Sequence, residues 1–330
     1  MSRSLIVLPD DSIEPVLEFI DRTRRSLRIK MFALSDPRII TAAIRAHGRR
    51  VKTRILLNPA RRNGEIQNTE SRNILRAAGI NVRDTNPAFE ATHEKSMVGD
   101  DTTALILTGN CEPDTFEKTR DYGIVTSDPA EVNEIIDCFE ADWSRRPFEP
   151  PKYSNLIWSP GLGRVQIAEF IDSAKHWLYV QNERYQDAII VERLVRAKLH
   201  GVKVHVMTRP SHSLRADKLV EGVGGLRIMA DVGIGIRKIH GLRLHAKMLL
   251  DRSRAIVGSI ILSPGSFDKR RELAIRVEDP EVVERLSGVV RDDWKHSRAL
   301  DLSDRGLELD LKRHAQEDGL ERVGFIATAS

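Results

Sequence analysis

The sequence repeats itself at one fixed interval, and no other feature narrows its fold so far. Asp100, Thr108, Asp121 and Pro129 each have a counterpart 151 positions later, at Asp251, Ser259, Glu272 and Pro280. The same interval carries Phe19-Ile20-Asp21 onto Phe170-Ile171-Asp172, Leu27 onto Leu178, Asp36 onto Asp187, Val51 onto Val202, Pro59 onto Pro210 and Asp142-Trp143 onto Asp293-Trp294. A chain of 330 residues suits one large domain or two medium ones, and the repeat decides for two. The expected domains are residues 1–150 and 151–300, with Arg145 to Tyr153 as a proline-rich linker that cannot continue a helix. Residues 301–330 read as a charged tail; Leu302, Leu307, Leu309 and Leu311 allow one short docked helix, and the last ten residues are expected to be solvated.

Within the first half, strand and helix patterns alternate. Ser4 to Leu8, Leu27 to Phe32, Val51 to Leu57, Ile80 to Arg83 and Ala104 to Leu107 read as strands. Ser12 to Arg25, behind the potential caps Asp10 and Asp11, then Pro37 to Ala46, Gln67 to Ala78 and Pro129 to Trp143 read as helices. Such alternation predicts an α/β fold with a mixed sheet flanked by helices in each half.

His93 and Lys95 stand two residues apart, a spacing that puts both on one face of a strand. Alone, such a pair is commonplace on a partly exposed strand. A second copy, His245-Ala246-Lys247, makes it a constraint. Thr108-Gly109-Asn110 adds a hydroxyl, a permissive backbone position and an amide close behind the first pair. This set suits phosphate: histidine attacks phosphorus or moves a proton near neutral pH, lysine offsets charge on non-bridging oxygens, and Thr and Asn donate to them.

These residues resemble the phospholipase D superfamily, whose hallmark H-x-K, D and G-S-x-N occurs twice per site. The first copy matches at His93, Lys95, Asp100 and Asn110, with Thr108 for the serine and Leu107 for the glycine. The second matches at His245, Lys247, Gly258 and Ser259, has one residue fewer between Lys247 and Asp251, and places Ile261 where the asparagine belongs. The resemblance implies two tandem phospholipase D-like α-β-α sandwich domains packed about a pseudo-two-fold axis in a monomer, with both motifs at the seam. It implies His93, Lys95, Asp121, His245, Lys247 and Glu272 as catalytic residues, and makes Asp100 and Asp251 structural. Thr108, Asn110 and Ser259 are expected to bind phosphate. Asp121 and Glu272 lie 28 and 27 residues beyond their histidines and are the expected orienting carboxylates. One histidine serves as neutral nucleophile and the other as acid, through a phosphohistidine, and His93 is the expected nucleophile because its motif is the fuller one. The lysines supply the charge that a metal would bring, so neither metal nor other cofactor is expected.

The balance of 52 basic and 48 acidic residues leaves only +4, which fits an anionic partner without demanding one. Cys111 and Cys138 are too few for a disulfide framework and read as reduced and structural. No signal peptide or long apolar run is visible, so the expectation is a cytoplasmic protein with at most peripheral contact at the inner membrane face. The leading expectation is hydrolysis or transfer of a phospholipid headgroup, similar to bacterial cardiolipin-synthase-type proteins. A metal-independent nuclease acting on DNA or RNA is the alternative, though no basic stripe interleaved with aromatics is present. A non-enzymatic phosphate binder is the third class. Glu183 reads equally as a pocket residue or an exposed strand end, and Arg61, Arg62, Ser211 and His212 as the substrate entrance. Trp143 and Trp294 read as core plugs, and His47, His200, His205 and the Arg22 to Lys30 basic run as having no functional role.

Overall fold

The computed structural model describes residues 3–60, 66–209, 216–309 and 312, with only the backbone for 216–221. In the first half, strands β1 (Arg3–Leu8), β2 (Ser26–Met31), β3 (Lys52–Leu57), β4 (Asn81–Asp84), β5 (Ala91–Thr92), β6 (Ser96–Gly99), β7 (Thr103–Leu107) and β8 (Thr119–Thr126) are interleaved with five helices. These are α1 (Glu14–Arg22), α2 (Pro37–Gly48), α3 (Thr69–Ala77), α4 (Pro113–Glu117) and α5 (Pro129–Trp143). The second half brings β9 (Leu156–Ser159), β10 (Trp177–Gln181), β11 (Lys203–Met207), β12 (Gly235–Lys238), β13 (Arg243–Leu244), β14 (Met248–Leu250), β15 (Ala255–Gly258), β16 (Arg270–Val277) and β17 (Arg298–Ala299). Its helices are α6 (Gly163–Asp172), α7 (Ala188–Leu199), α8 (Ala216–Asp231), α9 (Pro264–Asp268) and α10 (Pro280–Lys295).

Local chemistry sets the helix starts. Asp36 caps α2 by accepting from the Arg38 amide at 2.8 Å, and Pro37 fits the first turn, where its missing donor costs nothing. The helix then buries Ile39, Ile40, Ala43 and Ala46 along one face. Asp187 caps α7 and Asp128 caps α5 in the same way. The expected caps of α1 are corrected: that helix begins at Glu14, while Asp11 accepts from the Val7 amide at 2.8 Å and Asp10 pairs with Arg120 at 2.9 Å.

The first sheet runs β1-β8-β7-β6-β2-β3-β4, parallel from β2 to β4 and antiparallel elsewhere along that order. The second runs β17-β12-β11-β10-β14-β15-β16-β5, with β9 also paired to β16. Two short strands are exchanged between the halves. β5 lies parallel to β16 of the second half, and β13 lies parallel to β8 of the first. Three apolar cores follow: one under α1 and α2, one under α6 and α7, and a third at the seam, where Val132 and Ile135 of α5 meet Val282, Leu286 and both sheets. Helices therefore cover both faces of each sheet. At the end of the second half β17 extends the second sheet and Leu300 is buried in its core.

The seam is also bolted by charge. Arg120 of β8 holds Asp293 of α10 through two bonds of 3.0 Å, and Arg271 of β16 holds Asp142 of α5 at 3.3 Å. Trp143 and Trp294, beside these aspartates, are half-buried rather than core plugs; Arg83 covers the first at 4.4 Å and Arg237 the second at 4.9 Å.

Candidate active site

His93 and Lys95 do not lie in a continuous strand, which corrects the expectation that a shared strand face aligns them. Residues 93–95 form the step by which the chain leaves β5, in one sheet, and enters β6, in the other. The amides of His93 and Glu94 both donate to the Arg271 carbonyl, at 2.8 and 3.0 Å. Residues 245–247 make the equivalent step between β13 and β14, and His245 and Ala246 donate to the Arg120 carbonyl at 3.2 and 2.9 Å. Each histidine is thus stitched into the opposite half.

The carboxylates follow the same exchange. The sequence pairs Asp121 with His93 and Glu272 with His245; the structure crosses them. His93 Nδ1 meets Glu272 Oε2 at 2.8 Å, and His245 Nδ1 meets Asp121 Oδ1 at 3.0 Å. A carboxylate at Nδ1 assigns the proton to that nitrogen and leaves the Nε2 lone pair of a neutral ring for chemistry. Asp121 also accepts from Thr108 and Thr119, each at 2.6 Å, and Glu272 from Ser266. Burial pushes both carboxyls up, yet the facing imidazoles, their hydrogen bonds and the lysines hold them below the usual carboxylate range. Gly109 lies so close to Asp121 that an added Cβ would sit 2.8 Å from its carboxyl carbon, so only glycine fits that turn.

Two phosphate-binding expectations are corrected. The Thr108 hydroxyl donates to Asp121 and accepts from the Tyr122 amide at 2.8 Å, and the Ser259 hydroxyl is bonded to both backbone groups of Leu273. Both are fully buried and already satisfied, so they brace the strand that carries each carboxylate. Asn110 donates to Glu112 at 2.7 Å and keeps a buried carbonyl oxygen without a partner. Asp100 and Asp251 lie at turns, where Asp100 accepts from the amides of Arg24, Arg25 and Ser26, while Asp251 accepts from its own Ser253 and Arg254.

The repeat places Phe32 and Glu183 at equivalent positions, and here the symmetry breaks. The Phe32 ring meets the His93 ring edge-on at 4.9 Å and lies 5.2 Å from Lys95 Nζ. Glu183 instead puts Oε1 at 2.6 Å from Lys247 Nζ and 3.4 Å from His245 Nε2, and its other oxygen takes Arg209 at 2.9 Å. Among the described residues Lys95 has no ion-pair partner, and burial with the nearby Lys247 pulls it down to about 7. Burial likewise holds His93 down to about 3, against the opposing pull of Glu272. Glu183 stays well below the usual carboxylate range because Lys247, His245 and Arg209 outweigh its burial.

Glu183 was legible only as one of two readings, and Phe32, Thr119, Ser266 and Arg209 were not singled out; the register of the repeat would have pointed to Phe32 through Glu183. Arg61, Arg62, Ser211 and His212 lie outside the described residues. One set of metal-capable side chains occurs among the described residues, at Glu94, Cys138 and Asp142. Lys30 Nζ already fills it, at 2.9 Å from both carboxylates and 3.3 Å from the sulfur. No helix among the described residues is long and apolar enough to cross a membrane.

The family described as "Cardiolipin synthase, PLD-like domain" matches twice, over residues 16–143 and 167–294. A polyphosphate kinase of Vibrio parahaemolyticus is 25% identical over 281 residues, which is 79% of this chain and 39% of that protein. A phospholipase D of Rickettsia felis is 30% identical over 134 residues, 40% of this chain and 64% of that protein. The chain thus spans less than two thirds of either curated relative. The crystal structure of phosphatidylserine synthase from Haemophilus influenzae superposes with a TM-score of 0.71 at 10% identity, covering 97% of this chain and 94% of that one, a likeness of fold alone. With the family matched in both halves and the two H-x-K steps meeting at one seam, this chain belongs to the phospholipase D superfamily.

Proposed function

We propose that this protein cleaves or exchanges a glycerophospholipid headgroup as a phospholipase D-type phosphodiesterase or phosphatidyltransferase, with His93 as nucleophile and His245 as acid. The observation that carries this is the unequal pair of imidazoles, each pinned at Nδ1 by the opposite half. Neutral His93 offers Nε2 beside a lysine with no ion-pair partner among the described residues, while His245 Nε2 faces a carboxylate and Lys247. His93 Nε2 attacks phosphorus, the bond to the leaving alcohol breaks, and the His245 proton goes to that oxygen. Water or a second alcohol then gives its proton to His245 as its oxygen attacks phosphorus and the P–N bond breaks. Lys95 and the second N–H of Asn110 support the non-bridging oxygens.

One site per chain then needs both halves, and a monomer suffices. Contact with the bilayer is peripheral. A nuclease would use the same steps, but it would need a basic groove spanning several phosphates, and a net charge of +4 with interspersed acids does not favour one. Chemistry on phosphate chains is a second reading, favoured by the similarity to a polyphosphate kinase. The test is product release from phosphatidylglycerol vesicles, from single- and double-stranded DNA and from polyphosphate, with chelator, at two salt concentrations. Lipid turnover in excess of the others supports the proposal. Faster DNA cleavage that collapses at high salt, or faster polyphosphate turnover, replaces it.

A further inference from the structure

Glu183 is a carboxylate that faces Nε2 of His245 and orients no imidazole through Nδ1. Its position is occupied in the first half by Phe32, and Arg209, which holds its second oxygen, occupies the position of Asn58. The second half has therefore gained an ion pair where the first has an aromatic ring and an amide. Lys247 sits 2.6 Å from that carboxylate and is ion-paired, whereas Lys95 has no ion-pair partner among the described residues. We propose that Glu183 sets the charge of the site so that it accepts a phosphodiester monoanion and disfavours dianions such as phosphate monoesters and phosphate chains.

The charge count supports this. The site's carboxylates Asp121, Glu183 and Glu272 stand against the cations Lys247, Arg209 and, below about pH 7, Lys95, and the two sets then balance when both imidazoles are neutral. Protonating His245 for its role as acid leaves a single positive charge, the complement of a diester that carries one negative charge. Glu183→Gln would raise this to two, the complement of a dianion. Removing one buried charge a few ångströms from a bound ligand changes the binding of a dianion by about twice as much as that of a monoanion, so the ratio of the two affinities reads the charge directly. Glu183 acts here through Lys247 and His245, as a positioning and selecting group. The inference rests on the phosphodiester reading, and it names the feature that separates this site from one built for phosphate chains.

The experiment measures binding of sulfate, a dianion, and dimethyl phosphate, a monoanionic diester, by calorimetry at pH 6, where Lys95 is protonated, and at fixed ionic strength, on the full chain. The wild type is expected to prefer dimethyl phosphate. In E183Q the affinity ratio should move about tenfold towards sulfate, screening included. Glu183→Asp, which keeps the charge, should retain the wild-type ratio. Arg209→Met, at the half-buried edge, should move the ratio the other way and carries the test should E183Q fail to fold by circular dichroism. A folded E183Q or R209M with an unchanged ratio overturns the inference. Absence of lipid turnover by the wild type sinks the proposed reaction but leaves this ratio readable, so the two failures are distinct.

Discussion

Around His93 and around His245 the same repeat unit has been filled in two ways. The first histidine has an aromatic neighbour, a lysine without an ion pair among the described residues and a glutamate across the seam; the second has an aspartate across the seam and a Glu183-Lys247-Arg209 network on its open side. Duplication alone makes two equivalent imidazoles, whose division into nucleophile and acid then depends only on which of them holds the proton. The difference lies outside the H-x-K motif, in the strand-end residues Phe32 and Glu183.

The largest effects should fall on the histidines. His93→Ala and His245→Ala should each lower turnover of a phospholipid by on the order of 10^3-fold or more. An activated diester with a nitrophenolate leaving group needs no acid in the first step, so it sharpens the comparison. There His245→Ala should keep a burst of nitrophenolate with phosphate trapped on His93 by mass spectrometry, and His93→Ala should show none. Phosphate found on His245 alone would reverse the two roles.

Next come the crossed carboxylates. Glu272→Gln and Asp121→Asn leave the shape but not the negative charge at Nδ1, and should lower kcat by roughly 10^2 to 10^4-fold with KM little changed. Because the pairing is crossed, E272Q should abolish trapping on His93, while D121N should spare the nitrophenolate burst. The opposite pattern would restore the pairing within each half that chain distance suggests.

Much of this was legible beforehand. The 151-residue interval gave two α/β halves, and the H-x-K pairs with Asp121 and Glu272 named most of the groups that meet. Which carboxylate serves which histidine was not legible, because two-residue strands such as β5 and β13 carry no periodicity from which an exchange between sheets could be read. Thr108 and Ser259 misled for a related reason. A hydroxyl in a phosphate motif looks like a ligand donor until the strand pairing shows that an amide and a carboxylate or carbonyl have already claimed it.

The halves also differ beneath the site. Lys30 sits fully buried between Glu94 and Asp142, whereas its repeat counterpart Gln181 accepts from the Tyr122 hydroxyl at 2.8 Å and lies 3.3 Å from Asp293. Lys30→Met leaves two buried carboxylates with Arg271 as their nearby cation and should cost about 3–5 kcal/mol of stability. Gln181→Met strands neutral or already paired groups and should cost about 1–3 kcal/mol. Denaturant midpoints of the two variants measure the gap, and equal losses would mean that the ionic cluster is no stiffer than its amide equivalent.

The smallest expected effect is in the pH dependence of folding. His93 is held down to about 3 by burial, so between that pH and the ordinary histidine value the unfolded ring binds a proton that the folded ring refuses. The unfolded state then holds more protons, and stability rises with pH across this interval and is lost as pH falls through it. Asp121, Glu183 and Glu272 are also depressed, and they too lose stabilisation on acidification, but only below the ordinary carboxylate range. Between pH 5 and 6.5, therefore, His93 acts apart from them, with a slope of up to about 1.4 kcal/mol per pH unit. Chemical denaturation of wild type and His93→Gln at half-unit steps should show that part of the slope disappearing in the variant. A wild-type slope that survives His93→Gln would place the titrating group elsewhere and remove the neutral, desolvated His93 on which the division between the two halves depends.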